Sequence, residues 1–388
     1  MEPENQPQQP ELPSTETPLE AAPTVANAPD PVETRVVRYI LLGDQGLRGG
    51  WSVLLFVILM LLISGVVGFV FIKTHLLNPK AHFTAASVFT GELIQFLGIA
   101  GAAAVIALIE HRRGNLLAFN LIGPRRALHF ASGLVAGFLA LTALVLAMAW
   151  GGWLTFGPAG LSGTQILSQG LFWGAAFLLV GCVEEGSFRC YFQFTLTRSL
   201  NFWWAFGILA LACAFLLTTH KGNGAWGVYI MALAGLAPCL WLHLSKSEHS
   251  GFWQAAWVSS TLFGMLHTGN NGENWIGIFA AGTIGFVFVV SIWVTGSAWW
   301  AIGCHAAWDW AETYFYGAID SGNVAGSHFL TVNPAGNPLW SGGTDGPEGS
   351  VLVLGAILAL LAALIVIYGP KKAKAADPAP AAELAASK

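Results

Sequence analysis

The sequence predicts an all-α protein, a polytopic transmembrane helical bundle of about ten spans. Composition comes first: charged residues make up 10% of the 388 residues, against about 25% in soluble globular chains. Hydrophobic residues make up 55%, and the mean hydropathy is +0.61. Long apolar runs also follow one another with no two-residue alternation. In lipid only helices and closed barrels satisfy their own backbone, and a barrel needs that alternation.

Residues 1–50 read as a disordered N-terminal tail, rich in Pro, Glu, Ala and Thr up to about residue 33. No basic start and short apolar core stand there, which argues against a cleaved signal peptide. Apolar runs follow at 51–73, 84–109, 128–150, 165–188, 203–219, 226–244, 253–268, 275–295, 299–317 and 350–369. About 20 residues cross a bilayer core, so the runs 203–219, 253–268 and 299–317 are short and tilted or half-buried. We divide the chain into N-terminal transmembrane helices (51–164), a catalytic helical core (165–317), an extracytoplasmic loop (318–349), a last span (350–369) and a disordered tail (370–388).

Basic residues near span ends set orientation. Arg35, Arg38, Arg48, Arg112, Arg113, Arg125, Arg126, Arg198, Lys246, Lys371, Lys372 and Lys374 fall on one side of a ten-span bundle, and Lys73, Lys80 and Lys221 oppose them. The expectation is a multi-pass protein of the plasma membrane with both termini cytoplasmic. A net charge of −4 gives no ground for a nucleic-acid partner. Cys182, Cys190, Cys213, Cys239 and Cys304 show no C-x-x-C spacing and sit in or beside apolar runs, so they read as small buried hydrophobes.

Ionisable residues inside a span cost about 2.5–3.5 kcal/mol each at its centre, so they are paired or used. Glu184, Glu185 and Arg189 stand in "LLVGCVEEGSFRCYF". Glu185 and Arg189 are one helical turn apart and can pair, while Glu184 points about 100° away and stays available. "FGMLH" ends in His267, followed by the polar turn "TGNNGEN". "HAAWD" presents His305 and Asp309 on one helical face, where they can orient water, hold a metal or bond to each other. Each group alone also reads as a structural hydrogen bond or ion pair. Together, Glu, His, His and Asp in a dry bundle can activate water and stabilise an oxyanion, or relay ions. Glu92 reads as a helix-to-helix hydrogen bond, His220 and Lys221 as an interface, and Trp299 and Trp300 as an aromatic belt.

EExxxR, FxxxH and HxxxN/D, in this order on separate spans, resemble the CAAX-processing and bacteriocin-processing (CPBP, or Abi) intramembrane endopeptidases. Here they read Glu184-Glu185-x-x-x-Arg189, Phe263-x-x-x-His267 and His305-x-x-x-Asp309, over about 165–316. The resemblance implies hydrolysis of a peptide bond in a membrane-associated protein or peptide. It makes Glu184 the base that activates water, His267 its partner in holding that water, and Glu185 with Arg189 a supporting pair. His305 and Asp309 then complete the site. His267, His305 and Glu184 are also the candidates for a zinc site, and the sequence leaves a metal-free mechanism equally open.

Two other readings stay open, a non-catalytic immunity or scaffold protein and an ion-translocating membrane protein. The chain departs from the family pattern with Asp309 where Asn is frequent and with Cys190 in place of the glycine of "FRG". The span ending at His267 also sets that residue at a different depth from Glu184 and His305.

Overall fold

The computed structural model describes residues 41–43, 46–78, 82–110, 115–219, 225–270 and 272–369. The N-terminal tail to residue 33, Arg35, Arg38, Lys80, Arg112, Arg113, His220, Lys221 and the C-terminal tail with Lys371, Lys372 and Lys374 lie outside them.

Helices form where the apolar runs stand. They are α1 (Gly49–Lys73), α2 (Ala85–Ile109), α3 (Arg126–Trp150), α4 (Thr164–Glu185), α5 (Gln193–Thr197), α6 (Phe202–Thr219), α7 (Ala225–Ser245), α8 (Ser250–Leu266), α9 (Trp275–Thr295), α10 (Trp299–Asp309), α11 (Pro338–Ser341) and α12 (Leu352–Tyr368). Strands among the described residues are short: a hairpin of β1 (Leu42–Gly43) with β2 (Gly46–Leu47), and an antiparallel pair of β3 (Leu154–Phe156) with β4 (Val332–Pro334). The architecture is an all-α polytopic bundle.

Six helical segments among the described residues have membrane length and apolarity: Gly49–Lys73, Ala85–Ile109, Arg126–Trp150, Thr164–Thr197, Gly227–Ser245 and Trp275–Thr295. The protein is therefore an integral, multi-pass membrane protein. The sequence's ten runs all become helices, but α8, α10 and α12 are shorter, with 17, 11 and 17 residues. α1 is apolar all round and turns Leu61, Leu62, Val66 and Phe69 outward, as a lipid-facing helix does.

The fourth run does not stop at residue 188. α4 passes into a π-helical segment, Gly186–Phe192, and then into α5, so one helix extends to Thr197. The wider turns are held from outside. Asn120 Nδ2 donates to Arg189 O at 2.9 Å. The Tyr191 ring stacks on Phe56 with centroids 3.9 Å apart, and its hydroxyl donates to Ser52 O at 3.1 Å. Ser52 Oγ in turn donates to Glu110 Oε1 at 2.9 Å, and Glu110 pairs with Arg198.

α10 is short because it begins deep in the bundle. Ala298 N donates to Asn120 O at 2.9 Å, and Trp299 Nε1 donates to Leu121 O at 3.0 Å. The loop around Asn120 thus lies level with Arg189, and α10 starts there. Trp300 is 3% exposed, so it is a core residue and not part of an aromatic belt. α10 presses on α3 through glycines: a Cβ on Gly133 would meet Trp300 O at 2.2 Å, and one on Gly137 would meet Cys304 O at 2.1 Å. Small residues four apart let membrane helices approach this closely. All five cysteines carry free thiols, four of them buried.

The segment after α10 folds back as a cap. A second π-helical segment, Trp310–Phe315, follows Asp309 directly. Asn274 caps α9 by accepting from Ile276 N and Gly277 N, and its own Nδ2 donates to Gly342 O and Gly349 O.

Candidate active site

Three elements bring the predicted side chains together. α4 ends with Glu184 and Glu185, the first π segment carries Arg189, and α10 carries His305 and Asp309. Glu185 and Arg189 are both fully buried, with Arg189 Nε 3.2 Å from Glu185 Oε2. The other Glu185 oxygen, Oε1, lies 2.8 Å from His305 Nδ1. Glu185 therefore bridges the guanidinium and the imidazole, and it fixes the ring so that Nε2 points the other way.

Nε2 of His305 faces two more carboxylates. Glu184 Oε2 is 3.7 Å away and Asp309 Oδ2 is 3.5 Å away. Glu184 keeps 34% of its side chain exposed, Asp309 15% and His305 13%. One imidazole thus stands among three carboxylates, one paired with arginine and two partly exposed.

Arg189 has its own cradle. Its guanidinium carbon lies 4.1 Å from the centre of the Phe263 ring and 5.4 Å from that of Phe288. Nε donates to Gly285 O at 3.4 Å. A Cβ at Gly285 would meet Nη2 at 2.3 Å, so only glycine lets α9 pass here without moving the cation.

His267 follows α8 directly, in a single 3-10 turn, and lines a cavity with Phe263, His305 and Asp309. The cavity holds about 530 Å³, including space open to solvent. His267 Nδ1 lies 2.8 Å from Phe263 O. A carbonyl only accepts, so Nδ1 carries the proton and Nε2 is left to act in the cavity. His267 and His305 line the same cavity, so the span that ends at His267 reaches the level of His305.

The sequence pairs Glu184 with His267, whereas the ionic contact of Glu184 is to His305. Among the described residues no hydrogen bond or ion pair joins His267 to Glu184, and Glu184 reaches His305 from the α4 side while His267 stands across the cavity. Glu92 accepts from Gln95 within its own helix at 3.0 Å, not from a neighbouring helix.

Sequence reasoning missed a set of carboxylates from the cap. Glu348 lines the same cavity, and its Oε1 accepts from Trp308 Nε1 at 2.7 Å. Asp320 Oδ2 accepts from Thr313 Oγ1 at 2.5 Å, and Asp345 Oδ2 accepts from Asn274 N at 3.1 Å. Burial pushes the Asp345 carboxyl up to about 8 and Glu348 well above the usual carboxylate range, and neighbouring carboxylates add to both. Glu312, three residues after Asp309, is 1% exposed, and neither of its oxygens has a hydrogen-bond partner. It was visible in "HAAWDWAE" as one more carboxyl inside an apolar run.

A zinc site needs three or four donors converging at about 2.0–2.3 Å from one point. Both histidines bond through Nδ1 and leave Nε2 free, but among the described residues no three His, Cys, Asp or Glu side chains converge in that way. His267, His305 and Glu184 do not fit a metal as arranged.

Residues 239–311 match the family model described as type II CAAX prenyl endopeptidase, Rce1-like. That stretch contains His267, His305 and Asp309, while Glu184, Glu185 and Arg189 precede it. No curated protein and no solved structure matches the chain.

Proposed function

We propose, for a chain that belongs over residues 239–311 to the type II CAAX prenyl endopeptidase (Rce1-like) family, that it hydrolyses a peptide bond of a membrane-associated protein or peptide. The family supports a CAAX-protease-like intramembrane peptidase. The individual residue roles are inferred from the arrangement of three carboxylates around one imidazole beside a cavity, which is the observation that carries them.

Glu184 is the general base. It is the most exposed of the three carboxylates and has no cation of its own, so it can accept a proton from water. His305 holds that water through Nε2, and Glu185 orients the ring through Nδ1, with Arg189 paired to the other Glu185 oxygen. The water attacks the scissile carbonyl carbon. Charge builds on the carbonyl oxygen, and His267 faces the site from the opposite wall with Nε2 open to accept a hydrogen bond. Glu184 then returns its proton to the departing amine as the C–N bond breaks. Asp309 supports His305 from the cavity side.

Arg48 and Arg198 stand at one end of the bundle and support a cytoplasmic assignment of that side, with the cap 318–349 extracytoplasmic. The protein lies in the plasma membrane with both termini inside. The catalytic core is 165–317 and the first three helices support it.

The test is proteolysis by purified protein in vesicles, followed by mass spectrometry of a peptide library. Glu184→Gln, His267→Ala and His305→Ala should each lower cleavage by about 10²-fold or more while helical content stays that of the wild type. Undiminished cleavage by all three variants would overturn the assignment.

A further inference from the structure

His305 has three carboxylates around one imidazole, and polar contacts alone do not choose among them. Oε1 of Glu185 lies 2.8 Å from Nδ1, while Glu184 and Asp309 stand 3.7 and 3.5 Å from Nε2, longer than a good hydrogen bond. The outer torsion of a histidine side chain turns in a broad well. The ring can therefore swing from one carboxylate towards another unless something apolar holds its plane.

Phe288 of α9 supplies that surface. Its ring stacks on the imidazole with centroids 5.8 Å apart and planes inclined by 26°, within the range of offset stacking. The phenyl ring is itself fixed: it is 3% exposed, and Trp300 meets it edge-on at 6.4 Å. Phe263 of α8 also meets the imidazole, at 90° with centroids 6.2 Å apart. Phe288 follows Gly285 by three residues, about one helical turn, so both lie on one face of α9. That face leaves room for the Arg189 guanidinium at Gly285 and braces His305 at Phe288. In the apolar run "IGFVFVVSIW" nothing sets this phenylalanine apart from its neighbours.

We propose that Phe288 is a positioning residue for the reaction: its flat face keeps the imidazole of His305 turned to Glu185, and so keeps Nε2 aimed where the water is held. The inference rests on the peptidase reading for the role of that water. Phe288 also lines the cavity, so the test has to separate a brace on His305 from a contact with substrate. A brace is felt in kcat, a substrate contact in KM.

Two measurements test it. The first is the kinetics of three variants in vesicles. Phe288→Leu and Phe288→Met fill the space without a flat face, and Phe288→Tyr keeps the face. The first two should lower kcat about ten-fold or more with KM within about two-fold, and the third should keep kcat within about three-fold. Methionine adapts to irregular space, so the Met variant guards against a folding defect, and thermal unfolding is followed in parallel. A raised KM at wild-type kcat in the Leu and Met variants would overturn the inference and leave the peptidase reading standing. The second measurement is proton NMR of detergent-purified protein and needs no substrate. The proton between Nδ1 and Glu185 should give a low-field resonance that is absent from His305→Gln. Phe288→Leu and Phe288→Met should broaden it through faster exchange with water, and Phe288→Tyr should leave it sharp. An equally sharp resonance in all three would overturn the inference. The expected resonance pattern with no peptide cleaved by the wild type would keep the brace and remove the peptidase reading.

Discussion

His305 Nδ1 lies 2.8 Å from Oε1 of Glu185, although the two residues stand 120 positions apart. The same carboxylate holds Arg189 on its other oxygen, with both partners at 0% exposure. A fully buried ion pair survives only if each charge keeps its partner. Removing one partner costs about 3–5 kcal/mol, because the other charge stays buried and uncompensated. Arg189→Met should therefore lower Tm sharply in detergent, and Glu185→Gln should do the same. The double variant should recover part of the loss. Additive losses in the double-mutant cycle would show that the two side chains do not act as a pair.

The close approach of α3 and α10 sets where His305 sits. A methyl group at Gly137 has backbone in its way, 2.1 Å from Cys304 O. Overpacking of this kind costs about 1–3 kcal/mol. Gly137→Ala should lower Tm and also reduce peptide cleavage, since Cys304 precedes His305 directly. Gly207→Ala is the control, because nothing lies within 4 Å of its added Cβ. Equal behaviour of the two variants would contradict the packing argument.

The cap carries a pH dependence of its own. Asp345 is held at about 8 in the folded protein, mainly by burial, against about 4 in an unfolded chain. A carboxyl raised in this way favours the fold while it is neutral. Its contribution is therefore complete below about pH 4 and is lost as pH rises towards about 8. Unfolding measured between pH 5 and 8 should show a falling Tm in the wild type and a shallower fall in Asp345→Asn. Parallel curves would refute the assignment.

The donor arrangement also predicts the response to chelators. No set of three His, Cys, Asp or Glu donors converges among the described residues. Treatment with 1,10-phenanthroline should leave peptide cleavage within about two-fold. A loss that added zinc restores would show that the side chains rearrange around a metal.

Much of this was readable in the sequence, for physical reasons that differ by element. The long helices were legible because each is an unbroken apolar run: 275–295 was predicted and Trp275–Thr295 is observed. The Glu185–Arg189 pair followed from one-turn spacing. The contact of Glu185 with His305 did not, because it depends on how α4 meets α10. The end of the fourth span was misplaced, since the charges of "EEGSFR" read as a boundary while the chain continues through π turns that bury them. Both site helices enter such turns directly after Glu185 and Asp309, and a period of 3.6 residues does not describe the faces beyond. By composition the cap reads as a polar loop. Its Gly, Pro, Asn and Ser residues do form turns, yet Glu348 and Asp345 fold inward, which composition gives no means of seeing.

The central claim is that water, activated beside His305, is added across a peptide bond. Cleavage in H₂¹⁸O by the vesicle-reconstituted protein tests it most directly. The account predicts one ¹⁸O atom in the new C-terminal carboxyl of the product from the wild type, and no product from Glu184→Gln. Labelled product from Glu184→Gln at the wild-type rate would contradict it.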